Sequence, residues 1–225
     1  MEGNSVKMEN SREIKDMLYD HVSRIGKAVS SPKRLELIEV LCQGEKSVDR
    51  LASEVAISMK LASAHLRELR RAHLVETRRE GKQIFYRLAD PRVADFWVML
   101  HSLAEQQLTG LREALKRMTA EPEMLEPSNR DGLMRRARAG EVTVIDVRPV
   151  DEYRHAHLPF ARSMPLDELA GRLDEIPREM PVVAYCRGPY CLMARDAVDL
   201  LRQHGYRADQ LTDGVAEWQA HTRRS

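Results

Sequence analysis

The chain has no long apolar run, few cysteines and almost no net charge. No stretch of its 225 residues is apolar for the length of a membrane span, so no membrane partner is expected. The N-terminal MEGNSVKMENSREIK lacks an apolar core and does not read as a secretory signal, which points to the cytoplasm. Three cysteines, Cys42, Cys186 and Cys191, do not suggest the disulfide framework of a secreted domain. What is present is ordinary: 43% hydrophobic and 32% charged residues, enough for two small domains with their own cores.

The net charge of +1 conceals an uneven distribution. Residues 1–120 carry 21 Lys and Arg against 17 Asp and Glu, whereas residues 121–225 carry 15 against 18. Residues 60–87 alone hold eight basic and three acidic side chains. A basic footprint confined to the first half fits a nucleic-acid partner; a solvated surface is the alternative reading.

Helical spacing organises that half. Met17, Leu18, Val22 and Ile25 mark a first helix over residues 11–28. Leu37, Ile38 and Leu41 mark a second, begun near Pro32 and stopped at Gly44. Ser47 reads as the cap of a short third helix, although Arg50 stands where a capping box would place Glu. Ser58 caps a fourth helix, predicted to reach His73 through Leu61, Ala62, Leu66 and Leu69. A strand LVET, a polar turn over residues 78–81 and a returning strand over 83–88 complete a winged helix-turn-helix pattern. The fourth helix would enter the major groove of double-stranded operator DNA. Ser58, Lys60 and Ser63 are the candidates for base edges; Arg67, Arg70, Arg78, Arg79 and Lys82 are the candidates for phosphates. A small helical domain with a solvated hairpin is the alternative.

Residues 35–88, above all GEKSVDRLASEVAISMKLASAHLRELRRAHLVETRREGKQIFYRLA, resemble the ArsR family of dimeric bacterial repressors. The resemblance implies a homodimer on a two-fold operator. Metal-sensing members would need cysteines near Ser47 and Asp49, and this chain has neither; no metal is expected. Cys42 is a possible thiol sensor, or a buried core cysteine. Persulfide-sensing relatives use a cysteine pair, and the long amphipathic helix expected over residues 93–118 supplies no second one. Its apolar surface is predicted to pair with the first helix of a second copy.

Residues 119–129, with two prolines, read as a linker. Beyond it, a buried strand ending at Asp146, another over 182–185, and a helix over 192–204 imply a small α/β domain. The loop Cys186-Arg187-Gly188-Pro189-Tyr190-Cys191 lies between a strand end and a helix start. Such a loop can gather N–H groups around one thiol, with Gly188 permitting tight curvature and the helix start adding positive potential. Both favour thiolate, the form a nucleophile requires. Arg187 adds charge or binds an anion, and Pro189 removes one donor.

Three segments of residues 129–221, DVRPVDEYRHAHLPFA, YCRGPYC and DGVAEWQA, resemble the rhodanese family. The resemblance makes Cys186 the cysteine that carries persulfide, with thiosulfate, polysulfide or a protein persulfide as donor and no cofactor. Asp146 and Arg148 are expected to support the loop. Asp151, Glu152, His155 and His157 fall inside the rhodanese-like run rather than marking a metal site. Many family loops carry arginine at their last position; here Cys191 stands there, in the same six-residue loop as a Cys186 persulfide that it could attack, giving a disulfide and releasing sulfide; thiols too far apart or misdirected to pair are the alternative.

The expected architecture is therefore a mainly α winged helix-turn-helix followed by a small rhodanese-like α/β domain with a mostly parallel sheet. The domain expectation is residues 1–118 for DNA binding and dimerisation, 119–128 for the linker and 129–225 for the rhodanese-like part. The expected function is an ArsR-like repressor responsive to sulfane sulfur, with sulfurtransferase activity. Two other readings stay open: a DNA-localised sulfurtransferase without a switch, and an oxyanion-binding regulator without turnover.

Overall fold

The computed structural model describes residues 2–118 and 130–223, so the expected linker lies outside the described residues. The chain divides into two compact units, Met1–Leu41 with Glu45–Val93, and Cys42–Gly44 with Ala94–Ser225.

In the first unit α1 (Glu2–Val29), α2 (Pro32–Leu41), β1 (Lys46–Ser47), α3 (Val48–Glu54), α4 (Met59–Arg71), β2 (Val75–Glu80) and β3 (Gln83–Leu88) follow in order. The strands form an antiparallel sheet in the order β1-β3-β2. Ser47 and Ser58 cap α3 and α4: their side chains accept from the N–H groups of Arg50 and Leu61 at 3.5 and 3.3 Å. Ala62, Leu66 and Leu69, spaced to share one face of α4, are fully buried, with Leu37, Ile38, Leu51 and Val55 beside them in the core. Burying a side chain such as Leu66 stabilises the fold by about 1.5–3 kcal/mol.

Two expectations for this region need correction. The polar run from Arg78 to Glu80 is not a turn. It extends β2, with Arg78 opposite Phe85, Arg79 opposite Ile84 and Glu80 opposite Gln83. Only Gly81 and Lys82 remain as the hairpin turn, with Gly81 at φ +58°. Polarity there reports solvent exposure, not loop. The long helix after Pro91 is also interrupted. It forms α5 (Pro91–Gln107) and α6 (Thr109–Met118), broken at Leu108 just before Thr109 and Gly110, two weak helix formers. β1, which pairs with Tyr86 and Phe85, is too short to leave a periodic pattern.

The second unit holds most of α5, then α6, α7 (Arg130–Ala139), β4 (Thr143–Asp146), α8 (Val150–His155), β5 (Arg162–Ser163), α9 (Leu166–Leu169), β6 (Val182–Tyr185), α10 (Met193–Gln203), β7 (Ala208–Gln210) and α11 (Val215–Thr222). Its sheet is wholly parallel, in the order β5-β4-β6-β7. β4 and β6 are buried along their whole length, as parallel strands covered on both faces must be. Strand alternation then sorts the chemistry. Val182, Ala184 and Cys186 pack into one cluster with Ala194, Ala197 and Val198 of α10. Val183 and Tyr185 pack into the other, with Leu133 of α7 and Val215 of α11.

Candidate functional site

Each unit carries one candidate site. In the first, α4 presents a face opposite its buried stripe, where Ser58, Lys60, Arg67 and Arg70 are exposed and Ser63 is half-buried. Lys60, Arg67, Arg70 and Lys82 make no ion pair among the described residues. Arg78 differs. Its guanidinium donates to Glu45 through Nε at 3.0 Å and pairs with Glu80 at 2.7 Å, lying 5.0 Å over the Phe85 ring. Those two carboxylates hold its pKa well above the ordinary arginine range. Arg79 donates through Nε to the Gly81 carbonyl at 3.1 Å, across the wing turn. The face thus combines uncommitted cations on α4 with an arginine already engaged on the wing.

The second site is the loop after β6. Cys186 is only 1% exposed, and Cys191 is half-buried against the same apolar cluster. The Cys191 N–H donates to the Gly188 carbonyl at 3.1 Å, and this turn folds the loop back on itself. The Cys186 thiol donates to the Cys191 carbonyl at 3.4 Å, so the first cysteine points at the residue that ends the loop. No disulfide joins the cysteines.

The electrostatics differ from the simple expectation of one activated thiol. Burial pushes the Cys186 thiol well above its usual range, against the pull of the Ala194 and Gly188 N–H groups. Cys191 moves the other way: a hydrogen bond from the Cys186 thiol, N–H groups of Arg187 and Met193 and the Arg187 charge outweigh its burial. The loop therefore favours thiolate at Cys191 and thiol at Cys186.

Arg187 does not stand open to a ligand. Its Nε donates to Glu152 of α8 at 3.0 Å, and the Glu152 side chain is 1% exposed. Asp146 and Arg148 lie beneath the strand ends. Arg148 is fully buried and forks onto Asp146, at 2.9 Å through Nε and 2.6 Å through the terminal nitrogen, and donates to the Ala156 carbonyl at 2.8 Å. Burial disfavours its charge, yet Asp146 outweighs burial and keeps the Arg148 pKa above its ordinary value. The Tyr185 hydroxyl donates to Asp146 at 2.6 Å and accepts from the Leu158 N–H at 3.0 Å. Val147 N–H donates to the Tyr185 carbonyl at 3.1 Å, which ties this buried group to the residue before Cys186.

Two residues that shape the loop, Gly214 and Glu217, are not singled out by the sequence, and neither are the neighbours of Gly188 and Tyr190. Gly214 packs so closely on it that a Cβ would lie 2.3 Å from the Arg187 carbonyl oxygen. Gly188 sits at φ +149°, where a Cβ would approach both Glu217 carboxylate oxygens at 3.2 Å. Glu217, 5% exposed, accepts from the Gly214 N–H at 2.8 Å and hydrogen-bonds His101 Nε2 at 3.1 Å. Tyr190 lies edge-on to Trp97 and His101, at 6.0 and 5.7 Å between ring centres. DGVAEWQA contains the signal for Gly214 and Glu217, but nothing local tells that α5 supplies their neighbours.

The remaining candidates lie elsewhere. Cys42 is half-buried just beyond α2. His157 is exposed, stacked on Tyr153 at 4.0 Å and bonded through Nδ1 to the Tyr153 carbonyl at 2.9 Å. Among the described residues, no group of three or more His, Cys, Asp or Glu side chains is arranged to hold a metal ion.

Comparison with known proteins agrees with both halves. The model of bacterial regulatory proteins of the arsR family matches residues 31–77, and the rhodanese-like domain model matches residues 129–221. An HTH-type transcriptional regulator of Mycobacterium tuberculosis, Rv0324, is 40% identical over 211 residues, 94% of this chain and 92% of that protein. A biofilm growth-associated repressor of Xylella fastidiosa is 37% identical over 93 residues, 41% of this chain and 82% of that protein. The solved homodimeric winged helix-turn-helix DNA-binding domain of Mb0332 from Mycobacterium bovis is 36% identical, with a TM-score of 0.41, covering 43% of this chain and 89% of that one. Matched along nearly its whole length by one regulator, the chain belongs to the ArsR family, in the form that carries a rhodanese-like domain behind its winged helix-turn-helix.

Proposed function

We propose that this protein is a homodimeric repressor that binds double-stranded operator DNA and responds to sulfane sulfur carried as a persulfide on Cys186. The observation that carries the reading is a two-thiol loop, built on a buried strand, in the same chain as a helix with an open basic face. α4 supplies the groove-reading element: Ser58, Lys60 and Ser63 face base edges, while Arg67, Arg70, Arg78, Arg79 and Lys82 hold phosphates. Dimerisation is supported by exposed apolar side chains on α1, Ile14, Met17, Leu18 and Val22, and on α5, Met99 and Leu103. Among the described residues no helix is long and apolar enough to cross a membrane; a DNA partner supports a cytoplasmic location.

In the second unit, Cys186 takes sulfur from thiosulfate, polysulfide or a protein persulfide. Cys42, outside the loop, is assigned no step. The oxyanion-binding alternative is disfavoured by the engagement of Arg187 with Glu152, since the loop's one cation is already met by a carboxylate.

The test is mass spectrometry of reduced protein after brief polysulfide exposure, with operator binding followed on the same sample. Sulfur on Cys186, or a Cys186–Cys191 disulfide, together with weakened binding supports the regulator. Sulfur on Cys186 with unchanged binding replaces it with a DNA-localised sulfurtransferase. Cyanide-dependent turnover of thiosulfate, lost in Cys186→Ser, tests the enzymatic half separately.

A further inference from the structure

We infer that Cys191 is a second reacting thiol, which attacks the Sγ of a Cys186 persulfide, closes a Cys186–Cys191 disulfide and expels hydrosulfide. The inference rests on the persulfide reading above and gives that persulfide a defined fate within the same loop.

Geometry is the first support. The Cys186 thiol is directed at residue 191, 3.4 Å from its carbonyl oxygen, and the turn between the Cys191 N–H and the Gly188 carbonyl holds that approach. Access is the second. Cys186 is 1% exposed inside an apolar cluster, so the loop must open once to admit a donor and again to admit an outside acceptor, while Cys191 is already packed against that cluster. An attacking group held in place needs no encounter.

Charge is the third. Cys191 is the thiol whose surroundings favour the anion, first through a hydrogen bond from the Cys186 thiol and then, against burial, through the Arg187 and Met193 N–H groups and the Arg187 guanidinium. Cys186 is the one kept protonated by burial. During loading, Cys186 passes its proton to Cys191 and attacks a terminal sulfur of polysulfide; a shortened polysulfide leaves. Cys191, half-buried, then returns the proton to solvent, and the outer sulfur of the persulfide takes one up from solvent. Its thiolate attacks the inner sulfur of the protonated persulfide. The bond between inner and outer sulfur breaks, its electron pair leaves with hydrosulfide, and the bond between the cysteine sulfurs forms. The sulfane sulfur is reduced to sulfide while the two thiols are oxidised together. Hydrosulfide is a weakly basic leaving group, which favours this direction. A small exogenous dithiol resets the loop by exchange.

An arginine in this position would hold an anionic donor. A thiol there converts the loop from a sulfur carrier into a sulfur-consuming dithiol, whose lasting product is a disulfide.

The experiment compares full-length wild type with Cys191→Ser, and with Cys191→Ala as a second variant, each reduced and given a short pulse of inorganic polysulfide. Intact mass and peptide mapping are followed over time, with sulfide release measured against a Cys186→Ser control. Wild type should lose the mass of two hydrogens, with the cross-link mapping to Cys186 and Cys191, and release sulfide above control. Both Cys191 variants should keep one added sulfur on Cys186, at least about tenfold longer, without that release. A wild-type persulfide that lasts as long as in Cys191→Ser overturns this inference and leaves the persulfide reading intact. Absence of added sulfur on Cys186 in all three proteins overturns both.

Discussion

Arginine does opposite work in the two units. On α4, Arg67 and Arg70 are exposed and make no ion pair among the described residues, so their charge is offered to solvent. Beneath the thiol loop, Arg148 is fully buried and forked onto Asp146, and Arg187 is bound to Glu152. An exposed, uncommitted guanidinium can exchange water for phosphate at little cost. A buried one has already met its anion, and its value lies in the shape it holds. Arg78 stands between the two cases: exposed on the wing, yet pinned by Glu45 and Glu80.

The comparison breaks most visibly at Arg148. Replacing it with Met leaves Asp146 buried without its cation, at an expected cost of about 3–5 kcal/mol, read as a lower urea midpoint for unfolding. An unchanged midpoint would mean that Asp146 takes up a proton or another partner. Next comes Gly214→Ala. The new methyl meets the Arg187 carbonyl and displaces the loop, at a cost of about 1–3 kcal/mol and with loss of sulfur loading at Cys186. Full loading by this variant would show that the close approach is incidental.

The DNA-facing cations should behave in the reverse manner. Arg67→Ala is expected to leave unfolding unchanged and weaken operator binding, with the salt slope reduced by about 1 because one phosphate fewer is neutralised. Arg78→Ala should weaken binding less, because Arg78 must first give up Glu45 and Glu80. Equal weakening by the two variants would erase the distinction between free and committed cations.

Two pH effects sharpen the second unit. Cys191, favoured as thiolate, should react with iodoacetamide at pH values below the ordinary thiol range, and Cys186 should not; peptide mapping distinguishes them. The smallest effect is at Glu105. Burial raises its pKa, against the pull of His101 and with help from Glu217 and Asp213. A carboxylate raised in the folded state favours folding below its unfolded pKa and loses that contribution as pH rises through the folded value. Glu105→Gln should therefore remove a slight fall in thermal midpoint between mildly acidic and neutral solution.

Much of this is readable along the chain. Leu66 and Leu69 share a helical face in the sequence and a core in the fold. YCRGPYC places both loop cysteines between a strand and a helix, where they are. The wing reads as too long a turn because Arg78, Arg79 and Glu80 are polar, and polarity does not separate an exposed strand from a turn. The break at Leu108 is hidden because an apolar period runs straight across it. Glu217 and His101, separated by 116 residues, carry no local mark of their hydrogen bond.

Periodicity, capping residues and motif spacing are properties of neighbours along the chain, and they determine the main helices, the buried strands and which cysteine follows the buried strand, but not where the wing strand ends or the helix after Pro91 breaks. They cannot determine which thiol is the anion. That depends on which N–H groups and which guanidinium surround each sulfur and how deeply each is buried, and those distances exist only once the loop has closed against α10 and the sheet. The same holds for arginine: composition counts its charge, and only packing decides whether that charge is met inside the protein or left for a partner.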